Sequence, residues 1–278
     1  DPEVQEAGDH FGCTLAAGDF DNDGVDDLAV GVCNETVGVA AEAVLGWDAM
    51  LHDLTAPTLL GSDSSLFASP RIDNQLSCHA ATLALAQAAG PGGGAVPVIC
   101  LFDHEEVGSE SASGAGSSLL PAVLERISLA AGLDRDAWFA ALAASVCLSA
   151  DGAHATHPNY VGRHEPGHLI GLNAGPVVKH NANARYATDA AGEALVATAA
   201  RAAGVPLQHF VTRGDTPCGS TIGPVTASRL GITTVDVGVA MLSMHSAREL
   251  CGADDPALFV ELLRELLVLP TAPIATVP

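Results

Sequence analysis

From about residue 41 onward, short apolar runs alternate with Ala- and Leu-rich stretches of helical period, and this alternation constrains the fold more than any other feature of the chain. Residues 77–89 read as a helix ended by Gly90, PGGG at 91–94 as a turn, and VPVICLF at 96–102 as a continuous apolar strand of the buried kind. Residues 119–131, 136–148 and 189–203 read as helices, the last closed by Gly204, while 233–239 reads as a strand and 256–267 as a final helix. Strands separated by helices predict an α/β sandwich around a largely parallel sheet. In such sheets ligands gather at the carboxyl ends of the strands, and that is where functional residues are sought.

At 278 residues and 48% hydrophobic content the chain has ample material for a buried core. Eleven Lys and Arg against 33 Asp and Glu give a formal charge of -22, which excludes a basic nucleic-acid footprint and favours divalent cations. No apolar run approaches the roughly 20 residues that cross a bilayer, so no membrane partner is expected. The seven cysteines are scattered without a CxxC pair, so they read as reduced thiols and not as a disulfide framework or thiolate zinc site.

The first 40 residues have a different texture. FGCTLAAGDFDNDGVDDLAVGV at 11–32 reads as strand, acidic loop, strand. Asp19, Asp21, Asp23 and Asp27 set carboxylates at alternating loop positions with Gly24 between them, which suits oxygen ligation of Ca²⁺. An EF-hand is disfavoured because the twelfth loop position is Val30. The segment resembles one FG-GAP repeat, the calcium-binding blade unit of integrin-type propellers, so the expected division is a calcium-loop segment at 1–40 and a catalytic domain at 41–278.

Within the larger segment, Asp103, His104, Glu105 and Glu106 directly follow the apolar run 96–102. Adjacent glutamates point in different directions from an extended backbone, so one can bind a metal while the other handles a proton. Asp73 precedes a helix, where its plain reading is an N-cap. Asp151 follows the apolar stretch 146–148, and His245 lies beyond another apolar segment. Each is ordinary alone; together they follow the order and spacing of a co-catalytic zinc peptidase.

The stretches WDAMLHDLTAPTLLG, FASPRIDNQLSC, LFDHEEVGSESASGAGS, SADGAHATHPNY, GPVVKHNANARYAT, DTPCGSTIGP and VDVGVAMLSMHSARE resemble the aspartyl aminopeptidase family over most of the chain. The resemblance implies a three-layer α/β/α sandwich of the zinc aminopeptidase type with a short N-terminal β segment. It also implies a zinc-dependent removal of amino-terminal Asp or Glu from peptides. Asp73 would bridge two zinc ions, Glu106 and His245 would complete one position, Asp151 would serve the other, and Glu105 would be the general base. The family's first histidine ligand and its inserted dimerisation domain have no counterpart here, so the second ion is expected to bind weakly and homo-oligomerisation is left open. His52, His79, His154 and His157 are the histidines to locate relative to Asp73 and Asp151.

HEPGH at 164–168 matches the HExxH pattern, but Pro and Gly at its middle positions oppose the helix that zincins need, so it reads as a loop. Lys179, the only lysine, lies near His180 and Arg185 and is assigned with them to substrate binding, together with Gly219 and Ser220. The competing reading is a catalytically impaired fragment or fusion serving as a calcium-dependent binding module. The peptidase family points to the cytoplasm and the FG-GAP segment to secretion.

Overall fold

A ten-residue strand, TTVDVGVAML, is the hub of the fold. Its alternation of Val and Met with smaller or polar residues sorts side chains onto two faces. Val235, Val237, Val239 and Met241 enter the main buried cluster, and Ala240 enters a second cluster on the other face. Each fully buried Val contributes about 1.5–3 kcal/mol. The computed structural model describes residues 14–18, 27–31, 49–50, 53–88 and 95–269. The strands are β1 (Thr14–Gly18), β2 (Asp27–Gly31), β3 (Ala49–Met50), β4 (Thr58–Leu60), β5 (Leu66–Ser69), β6 (Val146–His154), β7 (Val177–His180), β8 (Gln208–Val211), β9 (Thr233–Leu242) and β10 (Glu249–Gly252). The helices are α1 (Ile72–Gln87), α2 (Leu119–Ala130), α3 (Arg135–Ala143), α4 (Ala190–Ala203), α5 (Ile222–Leu230) and α6 (Asp255–Val268).

The chain divides into two compact units, 1–55 and 56–278. In the first, β1, β2 and β3 form an antiparallel sheet in which Gly18 pairs with Asp27. The expected calcium ligands Asp19, Asp21 and Asp23 lie outside the described residues, as does His52.

In the second unit seven strands form one sheet, in the order β4-β5-β10-β9-β7-β8 with β6 running along β9. The β6–β9 and β7–β8 pairs are parallel, whereas β4–β5, β5–β10, β10–β9 and β7–β9 are antiparallel. The sheet is therefore mixed where a largely parallel one was expected. Short links such as 61–65 and 243–248 leave no room for a crossover helix and return the chain antiparallel. On one face α1, α4 and α6 share the main cluster; on the other, Trp138, Leu142, Leu230 and Ile232 join α2, α3 and α5. Helices on both faces of a sheet make this an α/β sandwich. α4 follows local rules closely: the Asp189 carboxylate accepts the Gly192 N–H at 2.7 Å, and Gly204 closes the helix at φ 70°.

Two expectations are corrected. The run 96–102 is no strand: residues 95–100 take no regular structure and find no ladder partner among the described residues, and Val96, Val98 and Leu101 are exposed. An apolar sequence favours a strand only where another backbone accepts its hydrogen bonds. The helix expected over 136–148 stops at Ala143, because Val146 begins a nine-residue parallel ladder with β9 that overrides helix propensity. Among the described residues no helix is long and apolar enough to cross a membrane, and all five cysteines are free.

Candidate metal centre

Four separate segments deliver the expected metal ligands to one end of the sheet. Asp73 sits in the first turn of α1, where φ -83° and ψ 112° break the helical geometry and the Asp73–Asn74 peptide is cis. Asp151 lies on β6, directly beside Gly238 of β9 in the parallel register. A Cβ at Gly238 would come within 1.9 Å of the Asp151 carbonyl oxygen, so this crossing accepts no side chain. His245 belongs to the tight link between β9 and β10. Glu105 and Glu106 occupy a turn, not a strand end. That turn is braced by the Ser/Gly segment behind it: Gly116 N–H donates to the Ser109 carbonyl at 3.0 Å, and Gly114 packs too close to Ser109 for any Cβ.

His245 Nε2 lies 3.1 Å from Asp73 Oδ2 and 3.0 Å from Glu106 Oε2. One ligand atom from each of Asp73, Glu106 and His245 falls within 4.8 Å of the other two. The Asp73 side chain is 2% exposed, and its Oδ1 is buried without a hydrogen-bond partner. Burial, with Asp151 and Glu106 beside it, pushes the Asp73 carboxyl up to about 9. A buried oxygen without a donor, among further carboxylates and an imidazole, is a place where a cation resolves the electrostatics. The donor set suits zinc, and the residues present fit it. Burial and the same acidic neighbours raise Glu105 to about 7 against the opposing pull of Lys179.

Asp151 has its own counterion. Lys179 Nζ donates to Asp151 Oδ2 at 3.1 Å and to the Gly152 carbonyl at 2.8 Å, in a pair 2% and 13% exposed. Burial drives the Asp151 carboxyl up, but Lys179 and the hydrogen bonds it accepts bring it below its ordinary value. Lys179 is therefore a buried partner of a metal-ligand candidate and not an open cationic surface. The pleat sends His180 to the opposite face, beside Val178 and α4, away from the side that carries Lys179 and Asp151. Arg185, Gly219 and Ser220 are exposed.

Two buried carboxylates that the sequence reading passed over tie remote segments together, one of them at this centre. Glu249 on β10 is 2% exposed; its Oε2 accepts the Asp73 N–H and its Oε1 the His245 N–H, both at 2.7 Å. One side chain thus holds the backbones of two candidate ligands. Asp236 on β9 is 0% exposed and accepts from Thr221 Oγ1 and the Ala187 N–H, each at 2.5 Å, fixing the CGST turn to the segment after β7. For Asp236 the available signal was an acidic residue inside an otherwise apolar strand; Glu249, first in its strand after Arg248, carried no such signal. Left-handed backbone at Arg71 (φ 57°), His104 (φ 62°), Ser243 (φ 58°) and His245 (φ 67°) also surrounds the ligands, at about 1–2 kcal/mol each for non-glycine residues.

Of the histidines singled out, His154 at the end of β6 reaches the centre, with its ring 6.5 Å from that of His245. The residue is exposed overall, yet burial of its ring, then His245 and Lys179, lowers its pKa. His157 packs against Tyr160 in the following loop, and its N–H donates to His164 Nε2 at 3.2 Å. His79 is exposed on α1. HEPGH is a loop as expected, with His168 Nδ1 2.6 Å from Glu165.

A profile of the family described as aminopeptidase I zinc metalloprotease (M18) matches residues 19–266. The chain is 51% identical over 256 residues to a probable M18 family aminopeptidase 2 of Streptomyces coelicolor, covering 91% of this chain and 59% of that protein. Among solved structures, a chain in the cryo-EM structure of the Ape4 and Nbr1 complex superposes with a TM-score of 0.78 at 41% identity, covering 84% of this chain and 45% of that one. Yeast aminopeptidase 1 (Ape1) gives 0.73 at 33% identity, with coverages of 83% and 52%. The chain thus spans roughly half of the length of the proteins it matches. The family match runs through residues 19–40, which leaves the FG-GAP and calcium reading of that segment without support.

Proposed function

Because the chain belongs to the M18 zinc aminopeptidase family, we propose that it carries the metal centre of an aminopeptidase that hydrolyses the first peptide bond of its substrate, with Glu105 as general base. The observation that supports this most is the convergence of Asp73, Glu106 and His245 on a buried Asp73 oxygen that has no partner. Zinc bound there would acidify a water and polarise the scissile carbonyl. Asp73, Glu106 and His245 would hold one ion; Asp73, Asp151 and His154, whose ring lies 6.5 Å from that of His245, are our candidates for a second. Glu105, raised to about 7, stands near half-ionisation at neutral pH, where a carboxylate best takes a proton from the attacking water and returns it to the leaving amine. The Asp236–Thr221 bond steadies the exposed Gly219 and Ser220 for contact with the substrate main chain. A preference for amino-terminal Asp or Glu belongs to the same proposal: with Lys179 committed to Asp151, the exposed Arg185 is the cation we assign to an acidic side chain.

Glu105→Gln, assayed on the full chain with aspartyl and alanyl anilides, is expected to lower kcat by about 10²–10⁴-fold with zinc content unchanged. Turnover that persists in the variant refutes the base assignment. A wild-type aspartyl-to-alanyl ratio near one removes the acidic preference alone.

A further inference from the structure

A second group of side chains able to ligate a metal lies on the sheet face that carries α4. His180 ends β7, His209 is the second residue of β8, and Glu193 is in the first turn of α4. In the parallel register Val178 pairs with His209 and His180 with Val211, so both imidazoles share the face on which Val178 packs against α4. Lys179 and Phe210, one residue along, turn to the other face and its separate cluster.

His180 Nε2 lies 3.2 Å from His209 Nδ1, and His209 Nδ1 lies 3.5 Å from Glu193 Oε1. One ligand atom from each of the three falls within 4.8 Å of the others. Around zinc, with bonds of about 2.0–2.1 Å, the edge of a ligand tetrahedron is roughly 3.4 Å. Both short separations match what one shared ion imposes. Without an ion, two imidazole nitrogens this close share one proton, one donating and one accepting; an ion in that place uses both lone pairs. Two nitrogens and one carboxylate select zinc-like transition metals over calcium or magnesium. The charge of -22 concentrates cations at the surface.

We propose that His180, His209 and Glu193 form a second divalent transition-metal site, with water as the remaining ligand, that staples β8 at the end of the described sheet to β7 and α4. The site is built by different residues, on a different face, from the centre around Asp73. It requires no change to the function proposed there.

The test is equilibrium dialysis of the full chain against Zn²⁺, with metal counted per chain, for wild type, His209→Ala and Glu193→Gln. His209 and Glu193 have side chains 42% and 35% exposed, so both variants should keep the wild-type circular dichroism and metal-free Tm. Wild type is expected to bind one ion more than His209→Ala, and Glu193→Gln to hold that ion at least 10-fold more weakly. Zinc should raise Tm less in both variants than in wild type. Equal metal counts and equal zinc-induced shifts in all three proteins overturn the proposal and leave a hydrogen-bonded histidine pair beside a carboxylate.

Discussion

Glu249→Gln isolates one carboxylate that serves the backbones of two candidate metal ligands. In the wild type its two oxygens each accept an N–H at 2.7 Å, one from Asp73 and one from His245, inside a residue only 2% exposed. Glutamine preserves the shape but can accept at only one of those positions. Its amide NH₂ then faces a backbone N–H, donor against donor, at a buried position. Losing one hydrogen bond to a buried charged group costs about 1.5–3 kcal/mol. For a chain of this size, that corresponds to a fall in Tm of roughly 3–12 °C. The metal should feel it as well, because Asp73 and His245 are each aimed through the backbone that Glu249 holds. Changes to groups that orient metal ligands cost about 10–100-fold in affinity. Differential scanning fluorimetry of the metal-free protein measures the first effect, and competition with a chromogenic zinc chelator measures the second. A variant with wild-type Tm and zinc affinity would refute the reasoning. A lowered Tm with unchanged affinity would restrict Glu249 to stability.

Lys179→Met leaves Asp151 buried without its counterion and should cost about 3–5 kcal/mol, with Lys179→Met/Asp151→Asn recovering part of it; equal stability of the single variant and wild type would show that the pair is not needed. The metal-free protein should also depend on pH through Asp73. Its folded-state pKa of about 9 lies above the unfolded carboxyl, so the folded chain binds that proton more tightly and loses stability as pH rises from about 4 towards about 9. Zinc competes with the same proton, so the Tm lost on adding EDTA should grow between about pH 5 and about pH 8; a constant gap would refute it.

The metal-ligand candidates came from the sequence through their order and the family resemblance, not from local pattern, since Asp151 lies inside β6 and Glu106 in a turn. The helices at 119–130, 190–203 and 255–268 were legible for local reasons: periodicity, an Asp189 cap and the glycine after α4. Local pattern failed where the outcome depended on a distant partner. VPVICLF carries every mark of a strand, yet no described backbone pairs with it, whereas Val146–Leu148 continues a helical pattern and becomes a strand because β9 is there to pair with.

The side-chain partners of the centre were the least readable part. Glu249 reaches Asp73 across 176 residues of sequence, and Lys179 reaches Asp151 across 28. The sequence alone determined an α/β chain rich in buried Val and Ala, with carboxylates and a histidine in the order of an M18 aminopeptidase. Tertiary structure decided that Lys179 is enclosed, that His180 faces α4, and that Glu249 holds the backbones of Asp73 and His245. Local periodicity sets which residues can lie on one face, but hydrogen bonds and charge pairing between remote segments form only once the sheet has brought those faces together.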